Sequence, residues 1–321
     1  MKFIFTLFLM VHFVMAQVTL GGIPYTKLHE INNDLDIIIL DSVPLEILLN
    51  EDDNREPGTP FRYGYIHETE FNPNNSGKWI ELEDGARIWQ IHFKSSDAYS
   101  INIEYENFFL PQSSELYVYN PGCEMIHGAY THLNNSDDGF FSTPHVEGDE
   151  IIIEYYQPAD VEGEFSLHII EIIHDYRDIM DFTGNGRDWE CGVNVICETE
   201  EFYQGVINSV AFLDMGGFIC SGAMVNNVRQ DLTPYFLTAW HCVDGDNPST
   251  FRFYFNKMAS SCENTWGSAG PYAYSSDLVA HSNGISHPPE SESPGGDWAL
   301  LLIDDEIEED WEVFYAGWDA T

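Results

Sequence analysis

Between residues 61 and 175 apolar side chains return at every second position, in short runs broken by turn-forming residues. Trp89, Ile91 and Phe93 alternate with polar neighbours, as do Ile101, Ile103 and Tyr105, and then Leu116 and Val118. Successive side chains of a strand point to opposite faces, so this spacing builds one buried and one wetter face. Residues 151–156 form a more continuous apolar run, read as a strand buried more fully. Turn residues at 73–77, 84–85, 95–97, 111–114, 120–122, 134–139 and 147–149 separate the runs. Short strands punctuated in this way predict an antiparallel β-sandwich over 61–175.

The flanking segments read differently. Residues 17–60 are acidic and loop-rich, ending in the breaker cluster Glu51-Asp52-Asp53-Asn54-Arg55-Glu56-Pro57-Gly58. Residues 176–188, with Thr183-Gly184-Asn185-Gly186-Arg187, read as an exposed linker in which the chain could be cut. From 189 to 321 short apolar runs resume between Gly-rich turns, with no long helical period. An antiparallel β-barrel fits that pattern best, so the whole chain is expected to be all-β.

The first residues belong to no fold. Lys2, the apolar run from Phe3 to Val14 and the small Ala16 before Gln17 read as a signal peptide spanning 1–16. No other run reaches the length of a membrane span. A secreted, extracellular protein is expected. The chain holds 54 acidic against 12 basic residues, a formal charge of -42, which excludes nucleic acid and anionic membranes as natural partners. No motif calls for a cofactor. Export permits disulfides, and five of the six cysteines (Cys191, Cys197, Cys220, Cys242 and Cys262) crowd the C-terminal region, with Cys123 apart. Their spacing does not suit zinc.

The chemistry concentrates in Phe236-Leu237-Thr238-Ala239-Trp240-His241-Cys242. An apolar strand runs into a small Thr-Ala pair and stops at a histidine followed at once by a cysteine. A serine nucleophile needs a base near its hydroxyl, and imidazole titrates in the useful range. Cys220, in Phe218-Ile219-Cys220-Ser221-Gly222, can bridge to Cys242 and anchor that turn. Closing a loop of this size contributes roughly 3 kcal/mol in the chain-entropy picture. A lone histidine is usually structural; this context reverses that expectation. The second element is Gly295-Gly296-Asp297-Trp298 leading into Ala299-Leu300-Leu301-Leu302-Ile303. A carboxylate at the mouth of an apolar strand needs a hydrogen-bond partner, and the N–H of a catalytic imidazole is one. Alone, an aspartate after two glycines is an ordinary turn. Placed after the histidine motif, it gains meaning.

These segments, with Cys191 to Cys197, Cys220 to Asn227 and Ala316-Gly317-Trp318-Asp319, make the region from 189 onward resemble the trypsin-like serine proteases. Within them it is most similar to bacterial lysyl-endopeptidase-type precursors. The resemblance implies that His241 is the general base and Asp297 its orienting acid. It implies disulfides Cys220–Cys242 and Cys197–Cys262, with Cys191 joined to a cysteine beyond residue 321. A Cys191–Cys197 bridge is the alternative. No G-D-S-G-G or G-S-S-G-S segment is present, so the serine, the oxyanion hole and the specificity pocket are expected beyond residue 321. The chain would thus hold the first barrel and the start of the second, and would be inactive alone. Trp240 departs from the small residue common at its position in trypsin.

The function these features predict is a secreted serine endopeptidase precursor acting on protein or peptide substrates, with a preference for Lys suggested by the resemblance. The sandwich resembles the prodomain of such precursors, serving as intramolecular inhibitor or chaperone until the chain is cut near Arg177 or Arg187. The competing reading is a non-catalytic exported β protein: an adhesive or binding sandwich followed by a degenerate protease-like domain. A carbohydrate-binding sandwich would need an exposed aromatic platform, whereas Trp79 and Trp89 are expected in the core.

Overall fold

The computed structural model describes residues 19–31, 34–56, 58–161, 163, 165–181, 195–197, 203–259, 262, 267, 270–282 and 296–318. The expected signal peptide, Cys191, Arg187 and Asp319 lie outside the described residues. The structure is predominantly β, as the alternation requires.

Two sheets form the N-terminal sandwich. One runs Ile37–Ile39, Arg87–Lys94, Glu150–Gln157, Glu115–Tyr119, Ile126–Tyr130, with Lys78–Glu81 also paired to Arg87–Lys94. The other runs Val146–Glu147, Ser100–Phe109, Ser166–Asp175, Gly64–Phe71, with Phe141–Ser142 added on Ser100–Phe109. The period-two residues meet between them: Trp89, Ile91, Phe93, Ile101, Ile103 and Tyr105 are all buried in one cluster. Trp89 lies in that core as expected, whereas Trp79 is half-buried and packs against the edge of the same cluster.

The N-terminal segment is more ordered than its composition suggests. Ile37–Ile39 pairs in parallel with Arg87–Lys94, the exception to an otherwise antiparallel sandwich. Other residues of the segment cover the outer face of the first sheet, where Tyr25 stacks on Tyr156 and Leu35 packs against the cluster that holds Ile152, which is why residues 151–156 carry apolar side chains on both faces. On that covered face the fully buried Glu154 accepts hydrogen bonds from the Thr26 amide (2.9 Å), Gln90 Nε2 (2.8 Å) and Tyr119 OH (2.9 Å). A buried carboxylate is tolerable when donors surround it in this way.

Two stretches depart from the expected loop and linker. Leu45–Asp53 is a helix that overlaps the first part of the breaker cluster. Its last turn carries Asp52, an unfavourable sign at a helix C-terminus. Tertiary contacts reverse that penalty: Asp52 binds Arg62 Nε at 2.9 Å, Arg177 Nη2 at 2.6 Å and Tyr176 OH at 2.8 Å. The start of the expected linker is buried rather than exposed. Asp175 accepts from the amides of Arg177, Asp178 and Ile179, at 2.7, 2.9 and 3.1 Å, and turns the chain inward. Ile179 and Met180 then fill a cluster with Tyr63, Ile173, Ile219 and Tyr254.

The C-terminal sheet runs Tyr272–Tyr274, Arg252–Phe255, Val210–Asp214, Phe218–Val225, Tyr235–Thr238, Ala299–Ile303, Ser276–His281. Its two outermost strands are neighbours in sequence, separated only by Ser275 with φ 63°. The sheet must therefore curl on itself to bring its edges to one corner, as in a trypsin-like half-barrel. Phe236, Phe253, Phe255, Met224 and Leu301 fill its interior. A helical turn, Gln204–Ile207, precedes the strand Val210–Asp214.

The two bodies meet through both backbone and buried polar groups. Phe61–Arg62 adds a strand to Phe218–Val225, and the Tyr63 and Gly64 amides donate to Gly217 O at 2.9 and 3.0 Å. Gly64 and Gly217 permit this approach: a Cβ on Gly64 would lie 3.0 Å from the Gly217 Cα. Buried Asp214 accepts from Tyr63 OH at 2.8 Å and lies 3.1 Å from His145 Nε2. Buried Arg252 donates to Ser142 Oγ at 2.8 Å.

Candidate active site

The strand Tyr235–Thr238 lies between Phe218–Val225 and Ala299–Ile303. Its last residue explains the Thr of the motif: Thr238 Oγ1 donates to Ser221 O at 2.9 Å and secures the strand end. Ala239 leaves the strand, and Trp240–Cys242 form a tight 3-10 turn. Cys242, buried beneath that turn, is bonded to Cys220. Cys197 is bonded to Cys262. Thr238 pairs with Ala299, so the turn sits beside the entrance of the next strand, where Asp297 lies.

His241 and Asp297, 56 residues apart in sequence, are in direct contact. The His241 amide donates to Asp297 Oδ1 at 3.0 Å, and His241 Nδ1 lies 2.5 Å from Oδ2. The carboxylate thus holds the backbone and the ring of one residue. Both side chains remain partly open, at 26% and 27% exposure, so the ring is accessible to a reactant. Burial pushes the Asp297 carboxyl up, but the hydrogen bonds from the His241 amide and ring outweigh it. The net position is below the usual carboxylate range. Asp297 is therefore an anion near neutrality. With Nδ1 engaged by the carboxylate, Nε2 is the nitrogen left to accept a proton from a nucleophile.

Cys220, His241 and Cys242 also bring potential metal donors close together. Both sulfurs are spent in the disulfide, so this is no metal centre. Asp244-Gly245-Asp246-Asn247 forms a turn, with Asn247 capping the short helix that follows. One feature beside the pair was not legible in the sequence. His281 stacks on Trp240, with ring centroids 3.8 Å apart and planes 17° from parallel. No local pattern marks His281; only the register of its strand brings it there.

A curled β-sheet with a histidine at the end of one strand and an aspartate at the mouth of the neighbouring strand is an arrangement consistent with the trypsin-like fold. Residues 185–321 match the family model described as lysyl endopeptidase, C-terminal domain. A lysyl endopeptidase of Pseudomonas aeruginosa is 24% identical over 292 residues, covering 83% of this chain. The chain spans 60% of that relative's length. It is similar to lysyl-endopeptidase-type proteases along both the sandwich and the curled sheet. Among the described residues no helix is long and apolar enough to cross a membrane.

Proposed function

We propose that this chain carries the His–Asp half of the catalytic triad of a secreted serine endopeptidase precursor of lysyl-endopeptidase type. The observation that carries the reading is the two-point contact between His241 and Asp297. In this reading His241 Nε2 removes the proton of a serine that follows residue 321, and the serine oxygen bonds to the scissile carbonyl carbon. As the carbon–nitrogen bond breaks, the same imidazole returns the proton to the leaving amine, and water then releases the acyl group. Asp297 fixes the ring and stabilises its protonated form. Cleavage after Lys is taken from the similarity alone.

The domain plan follows the sequence: signal peptide 1–16, N-terminal propeptide 17–60, sandwich prodomain 61–175, maturation region 176–188 and protease from 189. The sandwich acts as the folding partner of the first barrel, a role supported by the partners it gives to buried Asp214 and Arg252. Arg177 is tied to Asp52 at 2.6 Å, which favours Arg187 over it as the maturation site. Cys191 is assigned a partner beyond residue 321.

The test is hydrolysis of otherwise identical peptides carrying Lys, Arg or Leu before the scissile bond, by the product of the full reading frame. Preferred cleavage after Lys is expected, and His241→Ala should reduce it by about a thousandfold or more. An unchanged rate in His241→Ala would remove the pair from the mechanism.

A further inference from the structure

Trp240 adjoins the catalytic histidine, yet the triad chemistry assigns it no task. Its indole packs on the barrel interior along with Ala239 and Tyr315. His281, at the end of Ser276–His281, lies nearly flat on the indole. The imidazole is itself oriented, since His281 Nδ1 lies 2.6 Å from the Ser282 carbonyl oxygen and donates to it. Ser282 is joined to Trp298 from both sides. Its amide donates to Trp298 O at 2.9 Å, and its hydroxyl accepts from the Trp298 amide at 3.1 Å. Trp298 directly follows Asp297, and His281 faces Ala299 in the strand register. The two stacked rings therefore bridge the turn that carries the base and the strand pair that carries the acid.

We propose that the Trp240–His281 stack is a positioning device that holds the His241 turn at hydrogen-bonding distance from Asp297. The proposal rests on the protease reading above and extends it to two further residues. The Cys220–Cys242 bridge restrains the C-terminal side of the His241 turn. Trp240 is the anchor on its N-terminal side, and His281 keeps that anchor seated. The need for such a clamp follows from exposure, because both partners of the pair are about one quarter open to water, which competes for their hydrogen bonds. Small displacements of a catalytic group carry large kinetic costs.

The test compares His281→Ala and His281→Phe in the full-length protein, with unfolding midpoints measured alongside. His281→Ala should lower kcat about tenfold with KM unchanged within twofold, the signature of a misplaced base rather than lost substrate binding. It should also weaken the low-field proton resonance of the His241 Nδ1–H···Asp297 bond. His281→Phe can stack on the indole without donating to Ser282, and should restore both readouts. Wild-type kcat and an intact resonance in His281→Ala would overturn the proposal, as would failure of Phe to rescue a variant with an unchanged unfolding midpoint. Full activity in His241→Ala would instead sink the protease reading, and the resonance would still decide the role of the stack.

Discussion

Asp297 makes two separable contacts with His241, one to the amide and one to the ring, and substitution can distinguish them. Asn at 297 keeps the size and can still accept from the amide, but a carboxamide oxygen used there leaves its NH2 facing Nδ1. The imidazole then has to present Nδ1 as an acceptor, and Nε2 carries the proton it needs to be free of. Asp297→Asn should therefore lower kcat of the full-length enzyme by about ten-thousandfold, with little change in the unfolding midpoint. Steady-state kinetics beside thermal melts check both halves of that expectation. His241 was legible as a candidate base from its neighbours, because strand, small pair, histidine and cysteine form one local pattern. Asp297 was legible only as a partner for it, since an aspartate after two glycines is common. His281 was not legible: its stack on Trp240 depends on the strand register, which no local pattern encodes.

The alternation of apolar residues located the sandwich strands because Trp89, Ile91, Phe93, Ile101, Ile103 and Tyr105 all face the core. The opposite face is not the wetter one that the alternation predicts, since Gln90, His92, Asn102 and Glu104 are buried as well. The alternation underestimated the N-terminal segment, since the helix Leu45–Asp53 depends on Arg62, Tyr176 and Arg177 rather than on its own propensity. The same distance effect hid the burial of residues 175–180, where one carboxylate, Asp175, organises three amides. Among the barrel elements the 3-10 turn at Trp240–Cys242 is the one that holds His241, and the Cys220–Cys242 bridge closes a loop of sequence separation 22 beneath it. Replacing both cysteines by alanine should cost about 3 kcal/mol of stability by the loop-closure argument. Denaturant titration should show a lower midpoint. Residual activity should fall further than stability alone explains, because the turn that loses its tether is the one carrying the base.

At the scale of the whole molecule, the boundary between sandwich and barrel concentrates buried charge in a chain whose formal charge is -42. Glu104 lies there, close enough to Gly216 that a Cβ at that glycine would sit 2.3 Å from the carboxylate. Burial first, then the nearby Glu171 carboxylate, pushes the Glu104 carboxyl up to about 8. Arg252 pulls the other way, and Asp214 adds to the rise. In the unfolded chain the same group titrates near 4.5. Between those values the folded protein holds a proton that the unfolded chain has released. The stabilisation from Glu104 is thus complete below about pH 4.5 and is lost as pH rises through about 8. Burial works in the opposite sense on His174 in the sandwich, lowering it from 6.5 to about 4. Its contribution is complete above 6.5 and is lost as pH falls through 4. Glu104→Gln isolates the first effect, since the amide keeps the shape and cannot ionise. The difference in unfolding free energy, variant minus wild type, should grow as pH is raised from 4.5 to 8, on the order of a few kcal/mol. Thermal melts of both proteins across that range measure it. A constant difference would mean that Glu104 is already ionised in the folded molecule, and that the boundary between sandwich and barrel admits water.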